Sequence, residues 1–219
     1  GLHMEQLLRI GRTIVLALAC VGAVSAEEPT RKNALAALTS PDVEARKRAI
    51  IQLAKVGVMG DSDALARALR DDDAIVRNYA EQALWIVWSR SGDPKIDEQF
   101  AAGLERMQAG DMQASVAIYT RIIAARPDFA EGWNKRATLY FLMGELDRSL
   151  ADCHEVLKRN PVHFGVLAGY GQIYAQRGEM EKALEFFKRA LAVNPNMEGV
   201  RMNAAIIEQS LGDKARKGI

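Results

Sequence analysis

The sequence predicts an all-α protein built from helical repeats, which we expect to form a right-handed α–α superhelix. The first observation is a period, because Pro127, Pro161 and Pro195 follow one another at intervals of 34 residues. The second is composition: apolar residues make up 49% of the chain and aromatic residues only 6%. This composition favours closely packed helices over a sheet of β-branched and aromatic side chains. An internal period of this length is typical of stacked helix pairs.

Four further columns of residues keep the same interval, and each has a role in a pair of packed helices. Glycine is expected to end the first helix of each unit, because it adopts the left-handed conformation of a C-terminal cap at little cost. Small residues inside both helices let the two backbones approach closely, and an apolar residue of the second helix is expected to point into the next unit. The columns are Gly110, Gly144 and Gly178; Gly103, Ala137 and Gly171; Ser115, Ser149 and Ala183; and Tyr119, Cys153 and Phe187.

Residues 96–195 resemble three tetratricopeptide repeats. The resemblance rests on Trp133, Ala137, Tyr140, Phe141, Gly144 and Pro161 in the second unit and on Gly171, Tyr174, Gly178, Ala183, Phe187, Ala190 and Pro195 in the third. The first unit departs from the family pattern at Arg106, where an aromatic residue is usual. The resemblance implies that the first helices of the units line a concave face.

The segment that follows the third unit reads as another helix of the first type. We expect a capping helix at residues 196–211, with Ala205 in the small-residue position and Gly212 at its end. Such a helix covers the apolar face that the last repeat of an array leaves exposed. The array then spans residues 96–211, and residues 212–219 form a polar tail.

The N-terminal third carries a second, weaker repeat over residues 30–90. Residues 42–46 and 73–77 each follow a polar turn and begin a helix, and an offset of 31 superposes further apolar positions. These superposed pairs are Leu38 with Leu69, Ala49 with Ala80, and Leu53 with Leu84. The pattern resembles two HEAT-type repeats, which implies a helical arm ahead of the array.

The joint between arm and array is expected to be short and apolar. Residues 89–94 are polar and contain glycine and proline, as a break between two helices requires. A link of six residues favours an arm that is continuous with the superhelix. Trp85 and Trp88 lie three residues apart at the end of the preceding helix, and we expect them to dock against the first tetratricopeptide unit.

The N-terminus is set aside from the fold. Residues 1–3 precede Met4 and read as the remnant of a tag, and residues 4–26 read as a cleavable signal peptide. Arg9 and Arg12 flank an apolar run that is shorter than a bilayer span requires. We expect cleavage after Ala26 and a periplasmic or secreted product; retention of the segment as an anchor is the alternative.

The residues needed for catalysis are sparse, so the sequence predicts a protein that is not an enzyme and holds no cofactor or metal. The chain after residue 26 keeps two histidines and one cysteine, without the spacing of a zinc site. Cys153 is expected in the core and His154 at the surface. A formal net charge of +1, from 29 basic and 28 acidic residues, gives no sign of nucleic-acid binding.

The candidate site is the concave groove. The packing columns place a set of side chains of the first helices on this face, and a partner peptide is predicted to bind them. The predicted groove residues are Phe100, Leu104, Met107, Glu131, Asn134, Thr138, Phe141, Ala168 and Gln172, flanked by Asp97, Gly165, Met202, Ile206 and Gln209. The alternative is that these side chains close the superhelix or bury the preceding arm. Members of the family that grip a carboxylate use basic residues where this chain has Phe100, Leu104, Gly165 and Gly169.

The function predicted from these observations is that of an exported, non-catalytic adaptor that binds a peptide or helix of a partner protein. A second hypothesis is an accessory factor for cofactor attachment or for maturation of an envelope enzyme, by analogy with HEAT-type lyases. A third is a self-assembling structural oligomer.

Overall fold

The computed structural model describes residues 29–218, which fold into eleven α-helices. The predicted signal peptide lies outside the described residues. Within them, no helix is both long enough and apolar enough to cross a membrane. The helices are α1 (Arg31–Ala37), α2 (Val43–Val56), α3 (Ser62–Ala68), α4 (Ala74–Trp88), α5 (Pro94–Gln108), α6 (Met112–Ala125), α7 (Ala130–Leu142), α8 (Leu146–Arg159), α9 (Phe164–Gln176), α10 (Met180–Val193) and α11 (Glu198–Lys217).

Helices α5 to α10 form the three predicted pairs, so the all-α class and the repeat array are confirmed. Each first helix ends before a glycine with positive φ: Gly110 at 81°, Gly144 at 78° and Gly178 at 75°. Only glycine adopts this conformation without strain, which explains the column. Each second helix ends two residues before the proline of its repeat.

The two helices of a repeat meet at the column of small residues, as predicted. The Ser115 hydroxyl donates to the carbonyl oxygen of Gly103 at 2.8 Å, and the Ser149 hydroxyl donates to that of Ala137 at 2.7 Å. A hydroxyl reaches a backbone carbonyl on the facing helix only when the two axes lie close together, and this bond also satisfies a buried polar group. In the first two repeats the serine therefore fixes the point where the two helices cross.

Tyr119 and Phe187 belong to apolar clusters that include residues of the next unit, as expected, and each ring also lies against the glycine of its own repeat. A Cβ built on Gly103 would lie 2.6 Å from the Tyr119 ring, and one on Gly171 would lie 2.5 Å from the Phe187 ring. Each ring thus covers the glycine of its own repeat. The middle repeat has Ala137 where the other two repeats have glycine, and it has Cys153 where they have an aromatic residue. The larger residue on the first helix of this repeat therefore faces a smaller residue on the second helix.

We expect Gly171→Ala to destabilise the array by about 1–3 kcal/mol, because the added methyl group overlaps the buried Phe187 ring. Gly169→Ala on the same helix is the matched control. A Cβ at Gly169 has no neighbour within 4 Å, so alanine should stabilise the helix by about 0.5–1 kcal/mol. Urea denaturation followed by circular dichroism measures both changes. Equal effects of the two substitutions would contradict the packing role of Gly171.

The last helix differs from the prediction at its end. The predicted polar tail is helical, because α11 continues through Gly212 to Lys217 and is capped by Gly218 at a φ of 67°. The intervening charged residues are compatible with a helix, so one interior glycine does not stop it. Ala204, Val200 and Ile207 are buried against the third repeat, whereas Ala205 is exposed, because no second helix packs on its side within residues 29–218.

Residues 29–90 form the arm, in which α2 and α4 begin where the sequence predicts. Asp42 and Asp73 cap these helices, each accepting a backbone N–H of the first turn. Arg46 joins the two halves of the arm through a two-pronged ion pair with Asp71, at 2.8 and 3.0 Å. Two parallel bonds of this kind fix both the distance and the relative orientation of the guanidinium and the carboxylate.

The arm docks at a different place from the one predicted. Instead of the first repeat, Trp85 and Trp88 contact His163 and Phe164 at the start of α9, in the third repeat. Polar contacts continue this interface to the turn between α10 and α11. Arg70 donates to the carbonyl oxygens of Ala192 and Val193, Asn196 donates to that of Leu69, and Asn194 donates to the Glu81 carboxylate.

The arm therefore folds back along the array from the short link. The link itself is held at both ends: Arg90 donates to the carbonyl oxygen of Gly57 at 2.9 Å, and Ser91 donates to the Asp97 carboxylate at 2.6 Å. The apolar centre of this interface also contains Val162, Val193 and Met197.

Candidate functional site on the concave face

The candidate site consists of four rows of residues that the 34-residue period places at equivalent positions of α5, α7, α9 and α11. Counted from the start of each helix, the first row is Asp97, Glu131, Gly165 and Gly199, and the second is Phe100, Asn134, Ala168 and Met202. The third row is Leu104, Thr138, Gln172 and Ile206, and the fourth is Met107, Phe141, Ala175 and Gln209.

The structure divides the nine predicted groove residues into two groups. Four members of the first two rows are buried, namely Phe100, Glu131, Asn134 and Ala168, with at most 8% of each exposed. Phe100 packs on Tyr119 and Phe129 inside the first repeat. These four side chains are inaccessible to a partner while the arm and the array are packed as they are here.

Glu131 is the centre of a buried polar cluster beneath the arm. Its carboxylate is fully buried and accepts hydrogen bonds from His163 Nε2 at 2.5 Å and from Asn134 Nδ2 at 3.1 and 3.2 Å. His163 also caps α9, because its Nδ1 accepts the backbone N–H of Val166 at 3.1 Å. A ring nitrogen that accepts carries no proton, so the proton of the neutral imidazole is on Nε2, facing the carboxylate.

The charge of Glu131 is stabilised by its surroundings. Burial raises the pKa of this carboxyl group, but the interactions with His163, Lys135 and Asn134 outweigh burial, so its pKa lies below the ordinary value. The position of Glu131 in the first turn of α7 adds the favourable field of the helix N-terminus.

Two aromatic side chains of the arm cover this cluster. The Trp88 ring stacks on the His163 ring with 4.5 Å between centroids and 24° between planes. Trp85 meets the rings of His163 and Phe164 edge-on, at 5.3 and 5.5 Å. A Cβ on Gly165 would lie 2.7 Å from the Trp85 ring, so only glycine leaves room for this ring. We call the surface formed by Glu131, Lys135, His163, Phe164 and Gly165 the aromatic seat.

The other five predicted residues, in the third and fourth rows, are partly exposed. They are Leu104, Met107, Thr138, Phe141 and Gln172. Gly169 adjoins them with open space beside it. On α11 the same rows continue with Ile206, which is 63% exposed, and with Gln209. This open half of the groove offers apolar, hydroxyl and amide groups but no charged side chain, as the rows themselves show.

The structure places the candidate thiol in the core, as predicted. Cys153 is buried among Ala137, Val156 and Ile173, and burial raises the pKa of its thiol to about 12. His154 next to it is exposed. In the part of the chain that the structure describes, no three histidine, cysteine, aspartate or glutamate side chains are grouped as metal ligands.

His163 is the site residue that sequence reasoning missed. Phe129, His163 and Met197 form a column of residues, each directly before a first helix. The other two residues of this column are apolar, so the polar ring of His163 is an exception. That exception, together with the carboxylate of Glu131 in a row that holds glycine in the next unit, was the available signal. The space beside Gly165 is filled by the ring of Trp85.

Known proteins share the array. A family model for the tetratricopeptide repeat matches residues 100–153 and 135–198. A TPR repeat-containing protein of Rhizobium etli is 33% identical over 108 residues, which cover 49% of this chain and 53% of that protein. This chain thus spans about half the length of that relative.

Two solved structures have the same fold over about half of this chain. The first TPR domain of Spaghetti, bound to an HSP90 peptide, has a TM-score of 0.52 at 20% identity and covers 54% of this chain and 94% of that one. The TPR2B domain of yeast Sti1, in complex with pHsp70, has a TM-score of 0.50 at 21% identity and covers 54% and 99%. These two likenesses show the fold. Together with the period, the helix caps and the packing columns, the family model shows that residues 100–198 of this chain consist of tetratricopeptide repeats.

Proposed function

We propose that this protein is a non-catalytic adaptor that binds an uncharged peptide segment of a partner protein in the open half of its concave groove. The observation that carries the proposal is the row of Leu104, Thr138, Gln172 and Ile206, whose members are all at least partly exposed on successive first helices. A stripe of apolar side chains and amide groups suits an extended backbone with small apolar side chains.

The relatives support a binding role. Of the two domains with the same fold, one is bound to an HSP90 peptide and the other is in a complex with pHsp70. In this chain four members of the first two rows are buried, namely Phe100, Glu131, Asn134 and Ala168. The positions where a carboxylate clamp has basic residues hold Phe100, Leu104, Gly165 and Gly169. We therefore propose recognition of an internal, uncharged segment and not of a C-terminal carboxylate.

We propose that this protein is located in the bacterial envelope. The support for this location is the N-terminal sequence alone. An apolar run behind two arginines and before a small-residue site is the layout of a signal peptide. The two other hypotheses, an accessory factor for maturation of an envelope enzyme and a self-assembling oligomer, stay predictions.

A photo-crosslinker at Thr138 tests the groove. In the living host, Thr138 should capture a specific protein, because its side chain lies on the concave face between Leu104 and Gln172. The same crosslinker at Thr120, an exposed threonine of α6, is the matched control and should not capture it.

We expect Phe141→Ala to reduce this capture about tenfold, since removal of a groove aromatic side chain weakens binding by about 1–3 kcal/mol. Circular dichroism should show an unchanged helical signal. Equal capture from Thr138 and Thr120, or full capture by Phe141→Ala, would show that the partner does not use the groove.

A further inference from the structure

The aromatic seat has the features of a binding site, although the chain itself fills it. It combines a notch at Gly165, two flat rings at His163 and Phe164, and a cation, Lys135, whose Nζ lies 5.9 Å from the centre of the Trp85 ring. Each of these elements recognises an aromatic side chain by contact, by ring packing or by a cation–π interaction. The seat belongs to the array, and the rings that fill it belong to the arm.

The side chains of the seat are held by hydrogen bonds within the array, independently of the arm. His163 is fixed from both ring nitrogens, by the Val166 N–H and by Glu131, so its face points in one direction. Asn134 holds the second side of the Glu131 carboxylate. Groups that are already ordered lose little entropy on binding, and this raises affinity.

The occupant is a helix that presents two aromatic side chains three residues apart. Trp85 and Trp88 lie on one side of α4, with ring centroids 5.5 Å apart, and both contact His163 and Phe164. At the rim of the interface, Arg70 and Glu81 of the arm bond to the array through their side chains, whereas Leu69 of the arm bonds through its backbone carbonyl oxygen, which accepts from Asn196. Of these bonds, that of Leu69 depends little on the sequence of the occupant.

We propose that the aromatic seat is a second binding site of the array, specific for a helical segment with two aromatic residues three positions apart. The arm fills this site in cis and covers Gly165 and the ring of His163. A partner helix of the same chemistry competes with the arm. This second site extends the proposed adaptor function, but its residues differ from those of the open half of the groove. An experiment can therefore refute either proposal without refuting the other.

A peptide of residues 74–90 labelled with fluorescein tests the site on the full-length chain by fluorescence polarisation. The wild-type chain should bind it about tenfold more weakly than the Trp85→Ala/Trp88→Ala variant, because the tethered arm competes at a high effective concentration. In the variant the arm has lost both rings, and the seat is open to the peptide.

Two glycine substitutions in the double variant locate the bound peptide. Adding Gly165→Ala should weaken peptide binding about tenfold, because the methyl group fills the notch. Adding Gly169→Ala, one turn further along α9 and beside open space, should leave it within about twofold.

Three results would overturn the proposal: equal binding to the wild type and the double variant, equal effects of the two glycine substitutions, or no binding to a double variant whose array stays folded. Hydrogen exchange of α5 to α10 reports whether the array is folded. If the double variant loses that protection, Trp85→Ala alone serves for the same comparisons, since Trp85 is only partly buried.

Discussion

Trp88→Ala is expected to destabilise the arm by about 3–5 kcal/mol, the usual cost of removing a large aromatic side chain from a core. Trp88 is fully buried, and its indole N–H donates to the Ser62 hydroxyl at 3.0 Å. Its ring also stacks on His163, so the substitution removes packing inside the arm and between arm and array at once.

Hydrogen exchange measured by mass spectrometry distinguishes the arm from the array. In the Trp88→Ala variant, amides of α1 to α4 should lose most of their protection, whereas those of α6, α7 and α8 should keep theirs. Trp133→Ala is the matched control, because the Trp133 ring is only partly buried and lies against Arg136 and Arg159. We expect it to cost about 1–2 kcal/mol. Full protection of the arm in the Trp88→Ala variant would show that the seat does not hold it.

Glu131→Ala is the second substitution with a large expected effect, a loss of about 3–5 kcal/mol. The change leaves the His163 Nε2–H and the Asn134 amide without an acceptor in a buried place. Glu198→Ala is the control for the helix N-terminus, because Glu198 occupies the first turn of α11 but is exposed. It should cost at most about 1 kcal/mol.

The pH dependence gives an independent check. Since the pKa of Glu131 is lowered in the folded protein, its contribution to stability is present above the ordinary pKa of glutamate and is lost as the pH falls through the lowered value. The difference in unfolding free energy between wild type and Glu131→Gln should therefore be largest near neutral pH and shrink in acid. A difference that is constant from pH 7 to pH 3 would contradict an ionised, bonded Glu131.

The sequence by itself determined the array. Three features define it: the prolines, the glycines with positive φ and the small residues where the helices cross. Each acts within one repeat or between neighbouring repeats, so each recurs three times in the sequence at the 34-residue period. Even Gly171, whose role is fixed by the Phe187 ring, could be assigned a packing function from its column alone. The half of the groove at Thr138 and Phe141 followed from the same period.

Only the tertiary structure decided where the arm lies and which groove residues it leaves open. A six-residue link sets no angle between the helices that it joins, and the contacts of Trp85 with Gly165 and of Trp88 with His163 join residues far apart in the chain. Such contacts occur once, so no period reports them. Phe100, Glu131, Asn134 and Ala168 have the spacing of groove residues, but the packing of the whole chain buries them. The physical reason is that local signals repeat along a helical array, whereas the fit of one surface on another depends on shape and charge that no single segment contains.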